Sequence, residues 1–170
     1  MKQKRSKDTE IILGIDPGST IIGYGVIGIN KKESRNPKPF SIGYGYIDLT
    51  GHKSNVERLL QLHDDLNEVL DKYKPDSVAL ESLFFFKNAK TIVPVLQSRG
   101  VILLTVAKAN IKVFEYTPLV VKQTISGYGR ADKSLVQKLV CSTLNIAKVI
   151  KPDDVSDALA IAVCHLRHRI

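Results

Sequence analysis

An α/β architecture, a mixed five-stranded sheet flanked by helices, is predicted by three features of this 170-residue chain. Strand-like runs crowd its beginning. Helical and strand-like segments alternate through its middle, and helical patterning fills its end. Strands first, then helix–strand alternation, then helices is the order of a sheet with helices packed against it. The length suits one domain with one sizeable core.

Each element has its own signal. Two apolar, β-branched runs, Ile11 to Ile15 and Ile21 to Ile29, flank a Pro17-Gly-Ser-Thr20 break and read as a β-hairpin. Gly14, Gly18, Gly23 and Gly25 within it leave room for a close partner. Residues 1–9 form a basic, flexible arm, and residues 10–170 a single domain without internal repeat or linker. Four basic residues and two prolines mark 31–39 as a loop. Phe40 to Leu49 fits a third, antiparallel strand. From Val56 the positions Leu59, Leu60, Leu66, Leu70 and Tyr73 follow helical spacing, with Ser54 or Asn55 as the cap and His63 at the core edge. Ser77 to Leu80 is a short buried strand ending at Glu81. A long helical region follows, from about Asn88 to Ala109, interrupted or bent near Pro94 and Gly100. Ile111 to Tyr116 is the fifth strand, and helices cover 118–125, 133–144 and 155–167. The order β-β-β-α-β-α-β-α is that of a ribonuclease H-like fold.

Composition narrows the function. A formal net charge of +8 points to a polyanionic partner, with nucleic acid ahead of an anionic membrane surface. Cys141 and Cys164 sit in apolar, helix-like runs without CxxC spacing, which suits core filling in a reducing compartment, the cytoplasm. The apolar region 91–107 is broken by Gln97, Ser98 and Arg99, so no membrane span is expected. The apolar run after the basic N-terminus is too short and strand-like for a signal peptide.

Four acidic residues stand out. Asp16 closes a run of five residues, four of them aliphatic, and Glu81 closes the Val-Ala-Leu strand. A carboxylate at such a place must be protonated, hydrogen-bonded or metal-bound. Asp154 and Asp157 lie three apart at the start of an Ala/Leu/Ile-rich helix and project from one face. Asp153 shares that face or caps the helix after Pro152. Each has a bland reading: Asp16 caps the Pro-Gly turn, and the helical pair answers the helix dipole. The dipole does not explain Asp16 and Glu81. Carboxylates from two strand ends and a helix supply hard oxygen ligands, which suit magnesium or manganese rather than zinc. Two such ions about 3.5–4 Å apart activate water and stabilise the leaving oxygen of a phosphodiester.

The residues then match a known pattern. Ile12-Leu-Gly-Ile-Asp-Pro-Gly-Ser19 with Gly23-Tyr-Gly-Val26, Glu81, Lys87-Asn-Ala89, Gln97-Ser-Arg-Gly100, Val121-Lys-Gln-Thr124 and Asp154-Val-Ser-Asp-Ala-Leu-Ala-Ile-Ala162 resemble the RuvC family of Holliday junction resolvases, from about Ile11 to His165. The resemblance implies a ribonuclease H-like fold, a homodimer, and symmetric nicking of four-way DNA junctions in recombination and repair. It implies catalytic, metal-holding carboxylates at Asp16, Glu81, Asp154 and Asp157, with two Mg2+ ions per site and Mn2+ able to substitute. The family's Asp-x-x-Asp-Ala-Leu spacing selects Asp154 over Asp153. Phe84 takes the position of the family's junction-contacting aromatic, ahead of Phe85 and Phe86, and Lys122 and Lys133 match lysines set near the DNA backbone. The turn Gly127-Tyr-Gly-Arg130 offers backbone donors and Arg130 to phosphate. Association with the RuvA–RuvB branch-migration complex is implied by resemblance alone. His165 and His168, three apart, are expected to stabilise the last helix's C-terminus rather than bind metal.

Two other classes compete. Asp-x-Gly-Ser-Thr on a hairpin also resembles the phosphate loop of actin-like ATP-binding proteins, but these close two related domains over the nucleotide, more than 170 residues supply. A catalytically silent junction-binding subunit would have been free to lose a carboxylate, and all four are present.

Overall fold

The computed structural model of the chain describes residues 8–32, 38–51, 54–82 and 89–168, with 89–91 described by their backbone alone. Phe84, Phe85 and Phe86 lie outside the described residues, as do residues 1–7 of the expected arm. The elements in chain order are β1 (Thr9–Asp16), β2 (Ile21–Asn30), β3 (Phe40–Asp48), α1 (Asn55–Tyr73), β4 (Ser77–Glu81), α2 (Ala89–Lys108), β5 (Lys112–Tyr116), α3 (Pro118–Ser126), α4 (Lys133–Thr143) and α5 (Asp153–His168). The sheet order is β3-β2-β1-β4-β5. The first three strands pair antiparallel, while β4 joins β1 and β5 in parallel. The predicted mixed five-stranded sheet is therefore present.

Local chemistry fixes the ends. Ser54 rather than Asn55 caps α1: its hydroxyl accepts from the Glu57 N–H at 3.1 Å, and the Glu57 carboxylate accepts from the Ser54 N–H at 3.0 Å. This reciprocal pair satisfies two N-terminal donors that the helix cannot. The helix α2 is continuous through Pro94 and Gly100. Pro94 lies in its second turn and removes a single backbone hydrogen bond there. The last helix begins at Asp153, two residues before the expected start, so Asp153 stands in the first turn.

Alternation along the strands divides the core into two layers. Ile12, Ile27 and Ala79 face α3, α4 and α5, packing on Val121, Val140 and Leu159. Leu13, Ile15, Val26, Val78 and Leu80 face α1 and α2, packing on Leu62, Leu66, Ile102 and Val106. The sheet is thus covered on both sides, which is why its central strands read as unbroken apolar runs.

The glycines of the hairpin decide how close α5 comes. A Cβ at Gly14 would lie 2.0 Å from the Ala158 carbonyl oxygen, and one at Gly23 would lie 2.1 Å from the Asp154 carbonyl oxygen. The room expected beside the strand glycines is filled by α5, whose Ala158 and Ala162 keep the approach tight. No described helix is long and apolar enough to cross a membrane.

His165 departs from its expected role. It is buried in the sheet–helix layer, with Nε2 3.2 Å from the Ser77 hydroxyl and Nδ1 2.7 Å from the Tyr116 hydroxyl, and its ring stacks on Phe114 at 4.4 Å. It ties β4, β5 and α5 together. His168 keeps the helix-end role, with Nδ1 3.0 Å from the Cys164 carbonyl oxygen. His63, half-buried as expected, lies 2.7 Å from the Thr105 hydroxyl and joins α1 to α2.

Candidate active site

Register brings the first two carboxylates together. Ile15 pairs with Leu80 in the parallel β1–β4 ladder, so Asp16 and Glu81 emerge side by side at one end of the sheet. On its other side Asp16 pairs with Gly23, and the bare face of Gly23 admits the backbone of Asp154. The first two turns of α5 therefore lie over the strand ends, and Asp154 and Asp157, spaced three apart, share the face turned to them.

The electrostatics report this crowding. Burial, followed by the charges of Glu81, Asp157 and Asp154, pushes Asp16 from its ordinary 3.8 up to about 8. Asp16 keeps the proton and donates to the Glu81 carboxylate, a bond that raises the first group and lowers the second. Burial and the charge of Asp157 still leave Glu81 above its ordinary value, against the Asp16 bond and the ammonium groups of Lys133 and Lys122. Asp157 is raised by burial too, although Lys133 pulls the other way. The turn-capping alternative for Asp16 gives way to a shared proton with Glu81.

A cleft of about 230 Å3 opens on this cluster, lined by Glu81, Asp157, Lys122 and Lys133 over apolar Val121 and Ile161. Lys133 is the first residue of α4, and its ammonium lies 2.7 Å from Asp157 and 3.7 Å from Asp153. Burial works against that ammonium, yet Asp157, Asp153 and Asp16 together leave its pKa above the ordinary value. Arg130, exposed on the turn before α4, is not among the residues lining the cleft. Asp153 pairs with Lys151 at 2.8 Å through one oxygen and faces Lys133 at 3.7 Å through the other, at the edge of the cluster. The structure thus brings six of the eight candidate residues together, leaves Arg130 outside, and does not describe Phe84.

Whether these side chains fit a metal follows from their chemistry. The donors are all carboxylate oxygens, the set that hard divalent cations take. Among the described residues no group of three or more His, Cys, Asp or Glu is arranged to hold an ion as the side chains stand. As they stand, Asp157 is engaged by Lys133, and Asp16 bonds to Glu81. A divalent cation would relieve the same repulsion more completely than one ammonium and one proton do. Donor type and charge therefore fit a hard cation, with Asp16, Glu81, Asp154 and Asp157 able to hold it once Asp157 leaves Lys133.

The RuvC family profile, described as crossover junction endodeoxyribonuclease RuvC, matches residues 12–165. The chain belongs to the RuvC family. RuvC of Caldicellulosiruptor saccharolyticus is 49% identical over 156 residues, 91% of each chain. The solved structure of Thermus thermophilus RuvC matches with a TM-score of 0.83 and 30% identity, covering 94% of this chain and 95% of that one. Thermus thermophilus RuvC in complex with Holliday junction substrate matches at 0.82 and 27%, covering 94% of each. The RuvC match makes the fold ribonuclease H-like and the chain a crossover junction endodeoxyribonuclease of a metal-dependent nuclease family.

Sequence reasoning had passed over Arg99. Within the motif Gln97-Ser-Arg-Gly100 the sequence pattern gives the arginine no role of its own. The signal was available: an arginine set between apolar turns of a helix must find partners.

Proposed function

We propose that this protein resolves four-way DNA junctions by metal-dependent, symmetric paired nicks during homologous recombination and repair, with Asp16, Glu81, Asp154 and Asp157 as its catalytic carboxylates. The observation that carries the reading is the cluster itself: a carboxyl with its pKa raised to about 8 by burial and by three neighbouring carboxylates, in a chain of net charge +8.

In this reading the four carboxylates hold Mg2+, two ions per site, with Mn2+ able to substitute. A divalent cation held there would supply an activated water and offset charge on the departing oxygen. Asp16 yields its proton to become a ligand. Lys133 releases Asp157 and, with Lys122, turns to the DNA phosphates, where ammonium groups provide sequence-independent affinity. Arg130 meets the backbone farther along, and Phe84 stacks on a base opened at the crossover.

Paired cuts require two sites, and a second copy supplies the other. An apolar groove of about 430 Å3 between α1 and α2 carries the exposed Val56, Leu60 and Leu104. An apolar surface of this kind suits an isologous dimer. The nuclease domain, whose first strand already takes in Thr9 of the expected arm 1–9, would act in the cytoplasm, where Cys141 and Cys164 stay reduced. By family resemblance it would work with RuvA–RuvB.

The test is single-turnover cutting of a labelled four-way junction. Asp16→Asn, Glu81→Gln, Asp154→Asn and Asp157→Asn are each expected to lose most cleavage in Mg2+ while keeping junction binding. A variant that cuts at the wild-type rate removes its residue from the set.

A further inference from the structure

The carbonyl oxygen of Glu81 has no natural partner in the sheet. Alternate residues of a strand direct their backbone groups to opposite neighbours. The Ser82 N–H donates to the Tyr116 carbonyl on β5 at 2.8 Å, so the carbonyl of Glu81 is turned towards β1. There the chain continues past Asp16 as Pro17, which has no N–H to give. The strand that carries Glu81 thus loses its ladder where position matters most.

Arg99 of α2 fills the gap. Its guanidinium donates to the Glu81 carbonyl at 3.1 Å through Nη1, and Nη2 lies 2.6 Å from Oε2 of Glu115 on β5. The arginine side chain is only 13% exposed, whereas the Glu115 carboxylate it pairs with is 44% exposed, so the end of the fork on Glu81 is the better shielded. A planar guanidinium can serve two acceptors in fixed directions, which a lysine ammonium does not reproduce. Glu115 orients the fork, and the fork fixes the peptide from which the Glu81 carboxylate projects.

We infer that Arg99 is a positioning residue of the active site: it anchors the Glu81 backbone to α2 and β5 and so sets the carboxylate where a divalent cation is held. The inference rests on the proposed role of Glu81 as a metal-holding carboxylate. Groups behind a ligand that fix its orientation typically contribute about 10–100-fold to metal affinity or activity.

The experiment measures Mn2+ binding to the DNA-free, full-length protein by electron paramagnetic resonance, beside melting temperature and single-turnover cleavage across a Mn2+ titration. Arg99→Met removes both bonds. Arg99→Lys keeps the charge and most of the packing, and serves if the methionine variant folds poorly. Both are expected to weaken Mn2+ binding about tenfold, to shift the cleavage titration to higher Mn2+ by a similar factor, and to leave junction binding without divalent ions unchanged. A purely structural arginine would lower the melting temperature and leave Mn2+ affinity per folded molecule untouched, and that result overturns the inference. Glu81→Gln is measured in parallel. If it too binds Mn2+ like the wild type, the role of Glu81 fails and Arg99 falls with it; if Glu81→Gln is weakened and both Arg99 variants are not, only Arg99 was wrong.

Discussion

A carboxyl group raised to about 8 keeps its proton through neutral pH, and that has a sign. The folded chain then holds a proton on Asp16 that the unfolded chain, near its ordinary 3.8, has released. Stability from this group is complete below the unfolded value and is lost as pH rises through the folded one. Melting temperatures in chelator should therefore carry a downward contribution from this group across the interval from 3.8 to about 8 and level off above it. Asp16→Asn cannot lose a proton and should flatten most of that slope, Glu81 and Asp157 keeping a remainder because both are raised. Mg2+ needs the charged form, so it should protect the wild type more at the alkaline end. Equal slopes for variant and wild type, read by thermal melts in buffers of matched ionic strength, would reject the assignment. At this scale the sequence carried much of the site. Asp16 and Glu81 were legible because a carboxylate ending an apolar strand needs an explanation. The Lys133–Asp157 pair was not, since 24 positions separate the partners and only the packing of α4 beside α5 joins them. Asp153 was ambiguous for the opposite reason: one residue of helix phase separates it from Asp154, and its carboxylate is held between Lys151 and Lys133.

Among the elements, α5 does most to assemble the site, and it does so through glycine. The strand glycines were legible as room for a partner, but which helix would enter depends on chain crossings that local patterning does not encode. Helix and strand positions were recovered to within two residues, because each is bounded by a cap, a proline or a change of period. The departures have causes: α2 runs unbroken because Pro94 falls in its second turn, α5 starts early because Asp153 can join its first turn, and His165 is drawn inward by Ser77 and Tyr116. The dependence on Gly23 is testable. A methyl there would meet the Asp154 carbonyl oxygen at 2.1 Å, a backbone atom that moves only if the helix start moves. Gly23→Ala should cost about 1–3 kcal/mol, the usual range for overpacking. Because the displaced turn carries Asp154, cleavage per folded molecule should fall at least about tenfold, the effect of ångström-scale misplacement. Gly51→Ala, with nothing within 4 Å of the added carbon, is the control and should change neither. A Gly23→Ala protein that melts lower yet cuts normally would mean that the helix position is not what the carboxylates require.

For the whole molecule the remaining question is how one acidic cleft makes two matched cuts. The outward stripe of α2, Val93, Leu96, Gly100 and Leu104, repeats at helical spacing, while Ser98, Ile102 and Val106 on the opposite side are buried. Leu104 is 61% exposed and Val56 on α1 is 76% exposed, a poor arrangement for large aliphatic groups unless another surface covers them. A Cβ at Gly100 would meet nothing within 4 Å, which leaves the middle of the stripe open for another helix to approach. A two-fold axis through this face would pair α2 with its copy and set the two clefts at a fixed separation. Leu104→Glu tests the arrangement with little risk to the protomer, because the side chain it replaces is already largely in water. Burying two unpaired carboxylates at the axis would be costly, so sedimentation should turn from dimer to monomer at micromolar concentration while the melting transition remains cooperative. A supercoiled plasmid bearing a cruciform reads the functional consequence. Two simultaneous cuts linearise it, whereas a single nick relaxes it, reabsorbs the cruciform and leaves an open circle. The wild type should give linear product, and Leu104→Glu should give slower cutting with open circles predominating. A monomeric variant that still yields mainly linear product would show that paired cutting does not depend on this face, and a variant that stays dimeric would place the interface elsewhere on the molecule.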